Sequence, residues 1–577
     1  MFESDDADLS ALSEKRINFP PDTNCFVGYN AVGKKIDVWE IWMYMIFRQR
    51  TNLIVFAAAL FANSSSMSQE GVDLELKLQT RVAIEVNSKH FHSVEKSESW
   101  KPSESAIIVC DMWDLHHCHN AVIRLEQMAS PMNAVLSKAR EQGVTIIHAP
   151  SSCMEYYADH PARKRTRQIP LSSELPKGIE KWCAKIASED SGEYPIDQSD
   201  GGGDDDPQDH ERWAKSLEKL GRNPKAPWKR QTAALTIDGE KDFISDNGKE
   251  IWSVLESEGI QNIILLGVHT NMCVLGRPFG LRQLVKNGKN VVLMRDMTDA
   301  MYNPASKPYV SHFSGTDLII EHIEKWVCPT ITSDQLIGGS PYRFPDDKRK
   351  HIAMVIAEDE YQTEESLTAF ATKYLQKNFR LTVIHGSKTV RNDIIGVDKI
   401  ADADLLILSV RRRTLPFSQL QQVRDFEASG KPMIGIRTSS HAFCLRKKQA
   451  PAGLAEWKEL DEDVWGGNYS GHTPNGTRYT LSPTLAAERL AFLKEIDASK
   501  IVGHMSLYKN NDLGKSTTNL FWGHSQSDPQ ETQPVAWLNK RANGGQSFYT
   551  SLGHVDDFAQ DEFQRLLYNA VLHLTCD

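Results

Sequence analysis

The sequence predicts an α/β protein: two three-layer αβα domains in tandem, each built on a mostly parallel sheet. Three observations carry this reading. Short, uniformly apolar runs recur at 106–109, 263–266 and 291–294, and runs without polar alternation are strands covered on both faces. Segments with helical spacing separate them, the βαβ alternation of a parallel sheet. The same alternation starts again beyond Gly338-Gly339-Ser340-Pro341, and 577 residues are too many for one ordinary domain.

Residues 1–62 read as an N-terminal extension. In it Arg48-Gln49-Arg50 precedes an apolar run at 53–62, followed by Asn63-Ser64-Ser65-Ser66. A basic flank, a short apolar core and small residues make a secretory signal pattern at 43–62, too short to span a membrane stably. Met43 or Met45 would serve as its start. The expected location is periplasmic or extracellular, with the cytoplasm as the alternative if the run is a buried piece of the extension. Residues 63–103 read as a linker carrying a few alternating leucines (Leu74, Leu76, Leu78).

The first domain is expected at 104–335. A buried strand at 106–110 ends in Asp111. A helix follows at 131–141 (Met132, Val135, Leu136, Ala139), with Gly143 as its cap, and then a strand at 144–148. The register is lost over 150–227, a span holding Gly201-Gly202-Gly203-Asp204-Asp205-Asp206. Such spans are functional loops or disordered ones; this one is expected to shape a pocket, with its glycine–aspartate part solvated. Order resumes with a helix at 248–258 and strands from 262 and 290. A linker at 336–348 leads to the second domain, 349–577. Its strands are expected at 352–357, 381–385, 404–408 and 433–436, with helices at 366–376 and 563–574.

A net charge of −10, with no basic stripe interleaved with aromatics, argues against a nucleic-acid partner. The run Arg411-Arg412-Arg413 reads as a solvated loop. Nine cysteines without a paired CxxC array are neither a disulfide framework nor a structural zinc site.

In a parallel sheet the ligand crevice lies at the carboxyl ends of strands, where Asp111 and Cys273 both fall. Cys273 sits in Gly267-Val268-His269-Thr270-Asn271-Met272-Cys273, at the mouth of a helix, where N–H groups and the helix dipole lower a thiol pKa. A lone cysteine behind an apolar run is more often core packing, so partners are required. Asp111 offers an acid/base. Lys229, in Pro227-Trp228-Lys229-Arg230-Gln231, offers a cation, although such a lysine is usually solvated.

The order Asp111, Lys229, Cys273, with Ala106-Ile107-Ile108-Val109-Cys110-Asp111-Met112-Trp113 on the first strand, resembles the isochorismatase-like cysteine hydrolase superfamily over 104–330. The resemblance implies Asp111 as general base, Lys229 as third triad member and Cys273 as nucleophile. It also implies a cis peptide at Val268–His269 and an oxyanion hole of the His269 and Cys273 N–H groups. Possession of the cysteine places the likeness with the amide-cleaving branch. The nicotinamidase metal site has no counterpart around His148-Ala149-Pro150, so no metal is expected. His116-His117-Cys118-His119 reads as a polar loop lining the crevice, with zinc as the lesser alternative.

Trp465-Gly466-Gly467-Asn468-Tyr469-Ser470-Gly471-His472, Pro534-Val535-Ala536-Trp537 and Phe548-Tyr549-Thr550-Ser551-Leu552-Gly553-His554 resemble the ThuA-like family. Its fold is that of class I glutamine amidotransferases. At the strand-to-helix elbow, where those enzymes hold a cysteine, Gly435-Ile436-Arg437-Thr438-Ser439 puts Arg437, so no glutaminase activity is expected. His554 and Asp556 resemble the amidotransferase His-x-Glu; with His441 and His472 they could line a pocket for a sugar.

The expectation is a cofactor-free hydrolase of C–N bonds other than peptide bonds. It would cleave a small amide or ureido compound through a thioester and be fused to a ThuA-like domain; homo-oligomerisation is left open. The alternative is a carbohydrate-binding or sugar-processing protein driven by the ThuA-like half, with a degenerate hydrolase half.

Overall fold

In the first sheet the strands are β1 (Leu74–Ala83), β2 (Phe91–Trp100), β3 (Ser105–Cys110), β4 (Thr145–Ala149), β5 (Phe243–Ile244), β6 (Asn262–Val268), β7 (Asn290–Asp299) and β8 (Thr330–Ile331). The computed structural model describes residues 72–510 and 512–576, so the signal pattern at 43–62 lies outside the described residues. The strand order is β2-β1-β8-β7-β6-β3-β4-β5. From β8 to β5 all pairings are parallel, while β1 and β2 form an antiparallel hairpin on the β8 edge.

Why these runs are strands is visible in β3. Ala106, Ile108 and Cys110 enter one core and Ile107 and Val109 the other, so the period of two leaves no face for water. The helices that accompany the sheet include α1 (His119–Gln142), α2 (Pro161–Gln168), α3 (Pro207–Lys219), α4 (Gly248–Ser257), α5 (Leu281–Lys286) and α6 (His312–Trp326). α1 covers one face through Leu125, Met128, Met132 and Leu136. α4, α5 and α6 cover the other through Leu255, Leu284 and Ile323.

Three expectations need correction. Residues 74–100 are a hairpin rather than linker, because Leu74, Leu76 and Leu78 all point into the core beside Trp100. α1 begins at His119, twelve residues' worth of helix earlier than Pro131 suggested. Pro131 removes one helical hydrogen bond, but the buried stripe continues on both sides of it. The helix start is held from far away in sequence: Asp205 accepts the His119 and Asn120 N–H groups, each at 2.8 Å. The glycine–aspartate stretch is therefore not a solvated loop; Asp204 also forms a buried ion pair with Arg124 at 2.8 Å.

The second sheet comprises β9 (His351–Ala357), β10 (Arg380–His385), β11 (Leu405–Val410), β12 (Met433–Ile436), β13 (Tyr479–Pro483), β14 (Val502–Gly503), β15 (Thr517–Ser525), β16 (Thr532–Lys540) and β17 (Gln546–Thr550). Its order is β10-β9-β11-β12-β17-β16-β15-β13-β14. The first five strands are parallel and the rest antiparallel. Ile352, Met354 and Ile356 enter one core, Ala353 and Val355 the other. The hairpin also ties the two sheets together: Lys399 Nζ donates to Gln79 Oε1 (2.8 Å) and Glu95 Oε1 (2.7 Å). No helix among the described residues is long and apolar enough to cross a membrane.

Candidate active site

β3 and β6 are neighbours, yet the chain leaves β3 toward β4 and β5, then returns at β6 to build β7 and β8 on the opposite side. A reversal of this kind opens a crevice at the strand ends. Asp111 closes β3 and Cys273 follows β6, one on each side of that reversal. Gly267 makes the close approach possible, since its φ is +107° and a Cβ there would lie 2.1 Å from the Cys110 carbonyl oxygen.

After Gly267 the Val268–His269 peptide is cis, and Thr270–Val274 forms a single π-helical turn. Buried polar side chains hold this turn. The Thr298 hydroxyl donates to the Gly267 carbonyl and lies 2.7 Å from the Thr270 hydroxyl. The Asn271 side chain donates to the Met301 carbonyl (2.9 Å) and accepts the Met301 N–H (2.8 Å). Such fixed partners position the thiol more tightly than apolar packing would.

Cys273 is 8% exposed and Asp111 fully buried, and the thiol and carboxyl act directly on one another. Asp111 itself has a left-handed backbone, φ 48°. Its Oδ1 accepts the Ser151 N–H at 2.7 Å; its Oδ2 accepts Arg277 Nε at 2.9 Å, with Arg277 Nη2 also 2.9 Å away. Burial pushes the thiol well up, and the Asp111 charge pushes it further, against a partial pull from Arg277 and the His269 backbone. Burial likewise raises the Asp111 carboxyl, offset by Arg277, the thiol and Ser151. Two anions repel in this space, so burial and the neighbouring Asp111 both favour the neutral thiol.

That corrects the expectation of a thiol acidified by a helix N-terminus. The turn is only five residues long, and desolvation outweighs so short a dipole. Lys229 is not brought to the pair: it is exposed, and its backbone N–H donates to Asp114 Oδ1 at 3.0 Å. The cation at Asp111 is Arg277, which sequence reasoning missed. A signal for it existed, because Arg277 lies four residues after Cys273 and its N–H closes on the Cys273 carbonyl at 3.0 Å. That spacing puts both side chains on one face of a helical turn.

The walls of the crevice are aromatic. Trp113 and Trp228 stack at 4.5 Å, His116 lies parallel to both at 6.0 and 5.9 Å, and His269 meets His116 edge-on at 4.9 Å. Burial pushes His269 down to about 4 and His116 well below its ordinary value, so both rings are neutral. Trp182, from the 150–227 span, lies 5.8 Å from the Arg277 guanidinium, and Tyr194 donates to the Asn271 carbonyl at 3.2 Å. Among the described residues His116, His117 and His119 belong to no three-ligand group. Cys118 does lie near Asp204 and Asp205, but those carboxylates already serve Arg124 and the α1 N-terminus.

In the second domain Arg437 stands at the elbow after β12 with φ 45°, buried between the rings of Tyr361 (4.2 Å) and Tyr508 (4.8 Å). His441 is buried and stacked on Tyr469 at 4.9 Å. His472 is exposed, its Nδ1 2.6 Å from the Thr473 carbonyl. His554 caps the short helix Val555–Phe558 and lies 5.9 Å from Tyr361. Asp556 is exposed. The inward carboxylate is its neighbour Asp557, which takes the His504 Nδ1 (2.9 Å) and the Gly553 and His554 N–H groups. The arginine run is no solvated loop either: Arg413 is 3% exposed and donates to the Ala357 carbonyl, and Arg411 and Arg412 are half-buried.

The ThuA family description, Trehalose utilisation, matches residues 352–574. Among solved structures, a ThuA-like protein from Bacteroides uniformis is 14% identical with a TM-score of 0.32, over 41% of this chain and 95% of that one. A cysteine hydrolase from Pseudomonas syringae pv. phaseolicola is 19% identical with a TM-score of 0.25, over 41% and 92%. An isochorismatase family protein from Burkholderia thailandensis is 13% identical with a TM-score of 0.23, over 41% and 94%. No curated protein matches the chain.

Proposed function

We propose that the first domain hydrolyses the C–N bond of a small amide or ureido compound, with Cys273 as nucleophile and Asp111 as general base. The observation that carries this is the buried thiol–carboxylate pair, with Arg277 clamped on the carboxylate. In the proposed course Asp111 takes the Cys273 proton as sulfur bonds to the carbonyl carbon. N–H groups of the His269–Cys273 turn receive the developing oxyanion. The intermediate then expels the amine, which leaves with the proton from Asp111, and a thioester remains. Water, deprotonated by Asp111, attacks the thioester, and the acid departs as the proton returns to sulfur.

In this scheme Arg277 keeps Asp111 ionised despite its burial, the task the sequence reading gave to Lys229. The stacked aromatic walls suit a flat amide. Ammonia release across a panel of amides and ureido compounds, wild type against Cys273→Ala, tests the proposal. Turnover that survives Cys273→Ala overturns it.

The family match over 352–574 favours a second reading, in which a sugar-handling second domain sets the protein's role. Glutamine hydrolysis is not part of that reading, because Arg437 stands at the elbow.

A further inference from the structure

The carboxyl ends of the second sheet hold guanidinium groups that make no ion pair among the described residues, although the buried carboxylates of Asp557 and Asp461 act from farther off on Arg437 and Arg446. The chain leaves β9 toward β10 and returns at β11, so the crevice of this sheet opens between β9 and β11. Arg411 and Arg412 follow β11 directly, Arg437 follows β12, and Arg446 lies on the loop beyond; all four surround His441. The Arg412 N–H donates to the His441 carbonyl (3.2 Å), while His441 and the Arg446 guanidinium (4.6 Å) both pack on Tyr469. Their charges, with burial, hold His441 neutral, well below its ordinary value.

Two of the nearby cations are answered: Arg411 pairs with Glu360 at 2.5 Å and Arg413 with Asp359 at 3.2 Å. Glu358 is already used by the N–H groups of Glu360, Tyr361 and Thr363. Among the described residues Arg412, Arg437 and Arg446 have no ion pair. Arg437 donates to the Ser551 carbonyl (2.7 Å) and Arg446 to the Ser470 carbonyl (2.9 Å), neither of which carries charge. The Nε atoms of Arg412 and Arg437 are buried without an acceptor, and Arg437 is 1% exposed. Desolvated cations without a counter-ion are costly.

The backbone adds a second cost at the same place. Arg412, Arg437 and Arg446 have φ of 50°, 45° and 56°, a region sterically unfavourable for a non-glycine residue. Three arginines in that conformation around one histidine are better explained by a ligand than by packing. A guanidinium that is half-buried and free of carboxylates binds phosphate or carboxylate through charge-assisted hydrogen bonds.

We infer that this crevice binds a small phosphate- or carboxylate-bearing molecule, its anionic group held by Arg412 and Arg446. The inference rests on reading the second crevice as a ligand pocket and is independent of the hydrolase assignment. Isothermal titration of the full chain with inorganic phosphate, glucose 6-phosphate, glucuronate and glucose tests it, with Arg412→Gln and Arg446→Gln as variants and circular dichroism confirming their folds. Expected is binding of at least one anionic probe, weakened about 10-fold or more in each variant and unchanged in Cys273→Ala. Phosphate-type binding alone, or glucuronate alone, supports the inference and identifies the anionic group. Glucose binding as tightly as the anions, insensitive to both substitutions, overturns the anion assignment and leaves the pocket standing. No binding of any probe at about 10 mM, well above ordinary small-ligand affinities, overturns both.

Discussion

Replacing Arg277 by methionine separates the cation the structure shows from the one the sequence suggested. Methionine keeps much of the aliphatic stem and removes both nitrogens that lie 2.9 Å from Asp111 Oδ2. A hydrogen bond to a charged group contributes about 1.5–3 kcal/mol. Both nitrogens here share one oxygen, and the guanidinium is 25% exposed, so the pair is placed at about 2–3 kcal/mol after screening. Spent on the availability of the base, that is a loss of about 30- to 150-fold in kcat/KM. The pH profile carries the sign. Asp111 must be ionised to accept the thiol proton, and its folded pKa already lies above the ordinary carboxylate value. Activity therefore rises with pH through that raised value, and Arg277→Met moves the acid limb further up. Lys229→Met, removing an exposed ammonium, should change kcat/KM by less than about 3-fold. The assay is ammonia release against pH for wild type and both variants. If Lys229→Met falls to the level of Cys273→Ala while Arg277→Met stays within about 3-fold of wild type, the assignment of the cation is wrong.

Other outcomes follow from the same framework. Glu189 is held down to about 2 by hydrogen bonds from His322 and Arg282 that outweigh its desolvation. Its stabilisation is therefore full above the ordinary value of 4.5 and is lost as pH falls toward about 2; in Glu189→Gln, acid unfolding should lose that part of its pH dependence, measured by circular dichroism. Arg124→Met leaves Asp204 and Asp299 buried without their cation and should cost about 3–5 kcal/mol in urea unfolding. A cost under about 1 kcal/mol would mean that His312 alone neutralises both carboxylates.

Much of the architecture was legible in the chain. Runs such as 106–109 and 352–356 are apolar at every position, as strands buried on both faces are, so the parallel parts of the two sheets follow from composition along the chain. Asp111 and Cys273 were legible for the same reason: a polar residue that ends a buried strand belongs at the crevice. The hairpin at 74–100 was half-legible, since its alternation was visible while its partner, the β8 edge, was not.

What only the tertiary structure decided was which charges meet. Lys229 and Arg277 are both plausible cations by residue type, and in the fold Lys229 is exposed while Arg277 reaches Asp111. The same holds for Asp205, which caps a helix whose first residue is 86 positions away, and for Arg412, a loop residue by composition and a half-buried, carboxylate-free cation in the fold. Local patterning follows from the apolar period, which neighbours in sequence express. Ion pairing depends on distance and desolvation between segments far apart in the chain, and those exist only once the sheets have closed.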